Sequence, residues 1–507
     1  MRFDVVRDRS SKAVAGQSPG RVPAFPINGR ACFADRIVRY VSTRGEAPEL
    51  AFDDVLLAGL APDGGLYTPT SYPRLEREAI AALAGVPYAQ AAARIIAPFV
   101  GDAFSAQSLG NLTDAAYRTF RHRAIAPLVQ IGDNLFVLEL FHGPTLAFKD
   151  LAMQLLGRIM NDVLERRGQR ATIVGATSGD TGAAAIEAFR GLDRVDVFIL
   201  YPHERVSDVQ RRQMTTVNDD NIHVVALRGT FDDAQSILKR MFCDADFRNS
   251  VSLAGVNSIN WARVVAQTVY YFTSAVALGG PAREVAFAVP TGNFGDVLAG
   301  YVAKRMGLPV RRLVIATNTN DILARTLNSG RYELRAVTQT QSPSMDIQVS
   351  SNFERLLFDA YSRDASAIRS AFSSLEQSGA FSVAQEPLEA IRNEFEAHSA
   401  SEEETSAEIA CTYREAGYVL DPHTATGVHA ARLRLDKDPS TPMVALATAH
   451  PAKFPQAIEK AIGEKPRLPK NFAGLLSAKE QFTILDNDQQ KVAAFIRGRA
   501  RAARISR

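Results

Sequence analysis

The sequence predicts an α/β protein built on mostly parallel sheets, preceded by a mainly helical N-terminal domain. Two observations carry this. From residue 127 onward, short β-rich runs alternate with helical stretches, the pattern of strand–helix–strand units. Within that region three loops follow β-rich runs and open helices, where α/β folds bind ligands. The chain has 507 residues, 46% hydrophobic and 22% charged, enough for two or three domains around a large core.

Residues 1–36 are rich in Arg, Ser, Pro and Gly without sustained periodicity, which reads as a flexible leader. Residues 37–126 form the N-terminal domain, with helical patterns near 77–84, 88–98 and 111–121 and a turn-rich entry, Ala61-Pro-Asp-Gly-Gly-Leu-Tyr67. Residues 127–466 hold the β-rich runs: 135–140, 171–175, 195–200, 222–227, 285–289, 313–317 and 443–447. A helical insertion is expected around 350–436, and its stretch from about 360 to 405 has no assignable motif. Residues 467–507 form a C-terminal segment whose basic tail, from Arg497, reads as a frayed, solvated end.

Composition excludes several classes. The net charge of +3 does not call for nucleic acid. No apolar run reaches membrane-spanning length, and the first residues, with Asp4 and Asp8, lack the apolar core of a secretory signal. Cys32, Cys243 and Cys411 are odd in number and far apart, so neither a disulfide framework nor a zinc pattern is visible and no metal is expected. A reducing, cytoplasmic setting fits best.

Lys149 is the first chemically informative residue. It ends the run His142-Gly-Pro-Thr-Leu-Ala-Phe-Lys149 and opens a helical pattern with apolar Ala152, Leu155, Leu156, Ile159 and Val163. A lysine at a helix start faces the positive end of the dipole, which disfavours its ammonium. A partly neutral lysine can attack an aldehyde to form a Schiff base. An ordinary first-turn surface lysine would show the same local pattern.

The loop Gly175-Ala-Thr-Ser-Gly-Asp-Thr-Gly182 offers Ser178, Asp180 and Thr181 before a helix near 183–190. Its free helix N–H groups suit an anion, although a simple serine or threonine cap reads the same way. The loop Pro290-Thr-Gly-Asn-Phe-Gly-Asp296 precedes a helix over 297–306 and can cradle a phosphate on main-chain N–H groups. It is neither a Walker loop nor a dinucleotide fingerprint, and a plain tight turn is the alternative. The loop Ala447-Thr-Ala-His-Pro-Ala-Lys-Phe454 places Thr448 at a strand's carboxyl end, where its hydroxyl can meet a ring nitrogen. His450 reads as a satisfied loop histidine.

Together with Tyr40-Val-Ser-Thr-Arg-Gly45, Gly59-Leu-Ala-Pro-Asp-Gly-Gly-Leu-Tyr67 and Asn257-Ser-Ile-Asn-Trp-Ala-Arg263, these motifs run in one order from about residue 38 to about 465. In that order they resemble the threonine synthase family, pyridoxal-phosphate enzymes of fold type II (the tryptophan-synthase-β fold), in its longer bacterial and fungal branch. The resemblance implies two α/β subdomains around a pyridoxal 5'-phosphate cofactor. It makes Lys149 the Schiff-base lysine. It assigns Gly292, Asn293, Phe294 and Gly295 to the cofactor phosphate, with Asp296 as a weaker member, and Thr448 to the pyridine nitrogen. Ser178, Asp180 and Thr181 would hold the amino-acid end of the substrate, and Asn257, Ser258 and Arg263 its phosphate. The implied substrate is O-phospho-L-homoserine, the implied product L-threonine, and the implied assembly a monomer or homodimer.

Three other readings share part of the pattern. Dehydratases and cysteine synthases of the same fold share the lysine and a glycine loop, but typically carry asparagine where Asp180 stands and lack the matches at 59–67 and 257–263. A threonine-synthase-like phospho-lyase shares nearly every motif. A degenerate binding homologue would show an altered lysine or glycine loop, and neither is altered here.

Overall fold

The computed structural model describes residues 38–177 and 179–504. The leader expected over residues 1–36, Cys32 and the predicted site residue Ser178 lie outside the described residues.

Two sheets organise the chain. The larger has six strands in the order Phe395–Ser399, Val310–Thr317, Val285–Pro290, Met443–Ala447, Leu135–Glu139 and Leu128–Gly132. All neighbours are parallel except the last pair, a tight antiparallel connection. The smaller has five parallel strands in the order Thr483–Asp486, Ile222–Arg228, Val195–Pro202, Ala171–Ala176 and Leu253–Ala254. The central strands are near-continuous apolar runs because helices cover both faces. Helices Glu402–Ala416, Pro422–Leu435 and Pro455–Ile462 line one face of the larger sheet. Helices Phe231–Cys243 and Gln489–Arg499 cover a face of the smaller.

The helix Trp261–Ala277 is buried nearly all round, as its apolar sequence requires. It packs against helices Tyr88–Val100, Lys149–Arg166 and Gly295–Arg305, so it joins the N-terminal helices to the α/β body. The N-terminal segment consists of helices Phe52–Ala58, Arg77–Ala81, Tyr88–Val100 and Ala106–Tyr117 beside a two-stranded pair, Tyr40–Ser42 with Tyr67–Pro69. Its contacts to residues 354–355 bear on the site. Thr43 Oγ1 donates to Glu354 Oε1 at 2.6 Å, and the fully buried Arg355 donates to the carbonyls of Tyr67 at 2.9 Å and Ile259 at 2.6 Å.

Two segments differ from expectation. The insertion around 350–436 is not wholly helical, since Phe395–Ser399 is the edge strand of the larger sheet. Its run Phe-Glu-Ala-His-Ser is short and polar because an edge strand buries little. The tail is not frayed through residue 504. Ile496 and Ala500 are buried, and Arg501 bonds Asp196 through its N–H at 2.7 Å and its Nε at 2.6 Å.

Candidate active site

Because Leu135–Glu139, Met443–Ala447 and Val285–Pro290 are parallel neighbours, their carboxyl ends open along one edge of the sheet. The loops carrying Lys149, Thr448 and Gly292 therefore emerge side by side. Two contacts fix the first pair together. The N–H of Phe148 donates to the carbonyl of Thr448 at 2.8 Å, and Ala147 bridges Ala449. The helix Lys149–Arg166 begins at the lysine itself.

The glycine loop is held by its carbonyls. Ser350 Oγ donates to the carbonyl of Gly292 at 2.7 Å, and Asn352 donates to that of Asn293 through its main-chain N–H at 3.1 Å and its side chain at 3.0 Å. A planar trans peptide points its N–H opposite its carbonyl. The N–H groups of Asn293 and Phe294 therefore face away from the segment 350–352, and neither meets an acceptor among the described residues. Phe294 takes the left-handed conformation, φ 62°, as the cap of helix Gly295–Arg305, with its ring packed on Phe353 and Phe395. Unpaired amides at a helix N-terminus fit a phosphate group.

Asp296 stands differently from the loop. Its buried carboxylate accepts hydrogen bonds from the hydroxyls of Tyr270 and Tyr271, and burial raises its pKa to about 6 against those two donors. Only its main-chain N–H can join the loop.

Asp180 lies at the end of the smaller sheet's strand Ala171–Ala176 and opens helix Asp180–Phe189. The caps in this loop come from Thr177, whose Oγ1 accepts from the N–H groups of Gly179 at 2.9 Å and Gly182 at 3.0 Å. Both carboxylate oxygens of Asp180 are engaged. Oδ1 meets Lys453 Nζ at 2.7 Å and Gln210 Nε2 at 3.0 Å, while Oδ2 meets Lys149 Nζ at 3.7 Å and Ser344 Oγ at 3.4 Å. Burial works against its charge, yet Lys453 and Lys149 hold the carboxyl well below the usual range. Burial lowers the pKa of Lys149, Asp180 opposes this, and Lys453 and Arg263 add to the lowering.

Arg263 is buried without an ion pair among the described residues. One terminal nitrogen donates to the carbonyl of Val256 at 3.2 Å, while Nε has no partner among the described residues. Burial lowers its pKa to about 10. A buried guanidinium with donors to spare is suited to an incoming anion. Ser258 borders the glycine loop, its carbonyl accepting from Asn352 Nδ2 at 3.1 Å, and Asn257 is exposed. Thr181 is half-buried, and no hydrogen bond ties its side chain among the described residues. His450 accepts from the N–H of Ala452 at 3.1 Å, and burial lowers its pKa to about 4, so it is a neutral turn residue.

Residues 119–448 match the model of pyridoxal-phosphate-dependent enzymes, residues 39–117 that of the threonine synthase N terminus and residues 424–496 that of the threonine synthase C-terminal region. The chain is 53% identical over 460 residues to a threonine synthase of Pseudomonas aeruginosa, covering 90% of this chain and 98% of that one. The chain belongs to the threonine synthase family. A crystal structure of pyridoxal-phosphate-bound threonine synthase from Brucella melitensis matches with a TM-score of 0.89 at 57% identity, over 92% of this chain and 100% of that chain. Threonine synthase-like 2 of Homo sapiens is 36% identical over 454 residues, covering 88% of this chain and 93% of that one.

Like other threonine synthases, this family member is a pyridoxal-phosphate-dependent lyase of fold type II, and the loop amides and Lys149 fit that cofactor. The site also holds residues that the motifs did not single out. Lys453 is fully buried, which its place in a polar turn conceals. His423 Nδ1 donates to Asp421 Oδ1 at 2.8 Å while Nε2 accepts from the N–H of Ser344 at 3.2 Å, so a buried pair fixes the residue that reaches Asp180. Asn352 stands in the run Ser350-Ser351-Asn352, whose composition is that of an ordinary loop, so nothing in the sequence marked it for the glycine loop.

Proposed function

We propose that the substrate is O-phospho-L-homoserine, converted with water to L-threonine and phosphate. Arg263 is the observation that carries this reading. A buried guanidinium lacking an ionic partner among the described residues, close enough to Lys149 to influence it, calls for a dianionic group on the substrate. Asn257 and Ser258 stand on the same motif and join it at the substrate phosphate. Ser178, Asp180 and Thr181 are proposed for the amino-acid end.

The amides of Gly292, Asn293, Phe294 and Gly295, with that of Asp296, would hold the cofactor phosphate, Thr448 the pyridine nitrogen and Lys149 the aldehyde carbon. When bound, the cofactor supplies an electron sink beside the substrate's α-carbon. Lys149, once free, would take the α-proton as general base and hand it to the extended system that the cofactor supplies, and, neutral again, would take a β-proton. Arg263 holds the leaving phosphate as the C–O bond at the γ-carbon breaks. A proton is returned to the γ-carbon, the oxygen of water bonds to the β-carbon, and a proton is restored to the α-carbon. A neutral threonine hydroxyl at the ring nitrogen, unlike a carboxylate, does not enforce a pyridinium, which moderates the sink. Cys243 and Cys411, free thiols among the described residues, accord with a reducing, cytoplasmic place for the reaction.

The test is to incubate the protein with pyridoxal phosphate and O-phospho-L-homoserine and identify the products. Threonine equal to phosphate supports the reading. Phosphate with 2-oxobutyrate replaces it with a phospho-lyase. Release of no phosphate overturns both.

A further inference from the structure

One buried carboxylate stands between two lysines. Lys453 Nζ lies 2.7 Å from Asp180 Oδ1 and donates to the carbonyl of Thr145 at 2.8 Å, within the turn that leads to Lys149. Lys149 Nζ is 3.7 Å from the other oxygen. Gln210, which also donates to Oδ1, can sit there because residue 179 is glycine. Gly179 has φ 144°, and a Cβ on it would come within 2.6 Å of the Gln210 side chain.

A single carboxylate neutralises a single positive charge, and a buried charge requires a close partner. Asp180 makes its short, direct contact with Lys453. An ammonium on Lys149 would then face Lys453 and Arg263 with the longer contact as its compensation. The groups acting on Lys149 are Asp180, Lys453 and Arg263, and those acting on Lys453 are Asp180, Lys149 and Asp150. Asp150 is itself bound to Thr145 through N–H at 2.7 Å and Oγ1 at 2.8 Å, and burial raises its pKa to about 6.

We propose that Lys453 is a positioning residue: by holding Asp180 it keeps the Lys149 amine neutral, the form that attacks an aldehyde and accepts a proton. The inference rests on Lys149 being the reactive lysine of the proposed function. It adds a second lysine whose charge sets the first one's protonation without touching substrate.

The test measures how fast Lys149 is acetylated across a pH series in the full-length protein freed of cofactor, with the labelled peptide quantified by mass spectrometry. In Lys453→Met, Asp180 is left to Lys149 alone, so its ammonium gains attraction and loses repulsion. The labelling midpoint then moves to higher pH, and labelling at neutral pH falls about tenfold. The rising limb of the kcat profile of the cofactor-loaded enzyme moves in the same direction. Lys453→Arg, which keeps the charge, restores both profiles. A folded Lys453→Met protein with both midpoints unchanged, or with a raised KM alone, overturns the proposal. Should that variant not fold, Asp180→Asn serves, because loss of the carboxylate must move the Lys149 midpoint down, and an unmoved midpoint overturns the proposal. Labelling reads the amine without any substrate, so its outcome is separate from the identity of the reaction.

Discussion

Asn352 grips the carbonyl of Asn293 twice, through its main-chain N–H at 3.1 Å and its side-chain amide at 3.0 Å. The same side chain holds the carbonyl of Ser258 at 3.1 Å and accepts from Arg355, which the N-terminal strand pair anchors through Tyr67. The N-terminal segment thus reaches the glycine loop through two residues. A planar peptide held by its carbonyl presents its N–H at a fixed angle, so this grip prepares the loop for a phosphate before one arrives.

Asn352→Ala should therefore weaken cofactor binding. Each neutral hydrogen bond contributes about 0.5–1.5 kcal/mol, and the loop loses its two anchoring side-chain contacts to Asn293 and Ser258. The dissociation constant of pyridoxal phosphate, followed by fluorescence titration, should rise roughly tenfold. An unchanged constant would mean that the Ser350 contact and the main-chain N–H suffice to hold the loop.

Arg263→Met should separate stability from function. Removing a buried charge that has no ionic partner among the described residues should raise the thermal midpoint, as apolar replacements of buried ions often do. It should also raise KM for the phosphorylated substrate, because a charge-assisted contact of about 1.5–3 kcal/mol is lost. A raised midpoint with an unaltered KM would leave Arg263 without a substrate role.

Local patterns made much of this architecture readable. The run 443–447 is a strand because five apolar residues stand between turn signals, and the strand is Met443–Ala447. Lys149 opens its helix as the apolar spacing requires. Lys453 was hidden for a physical reason. Lysine is rarely fully buried, and the carboxylate that permits it stands at a helix start beyond a strand of the other sheet, far away in the chain. Phe395–Ser399 was hidden because an edge strand needs one buried residue and carries a polar remainder.

The basic tail shows the same limit, and Arg501→Ala tests it. Five arginines between 497 and 507 resemble a solvated end, but Asp196, buried in the strand Val195–Pro202, takes Arg501 as its ion pair. Without the guanidinium, Asp196 keeps only the main-chain N–H. Loss of one member of a buried pair costs about 3–5 kcal/mol, and the part-exposed Arg501 should cost less, about 2 kcal/mol. The thermal midpoint should fall while the KM stays as it is. A midpoint equal to that of the native protein would return the tail to a passive end.

Asp296 gives a prediction with a definite sign. Burial raises its pKa from 3.8 to about 6, so between those values the folded state holds a proton that the unfolded chain has released. Stability therefore falls as pH rises through this window, and above it the buried charge is a standing burden. Asn offers the same acceptor oxygen to Tyr270 and Tyr271 without the charge. Asp296→Asn should raise the thermal midpoint at neutral pH, by the equivalent of up to about 3 kcal/mol, and the gain should shrink toward zero near pH 4. Thermal unfolding of both proteins across that range checks it. A gain independent of pH would place its origin in packing rather than in the carboxylate, and a loss at neutral pH would mean that the two tyrosine hydroxyls need the charge they now face.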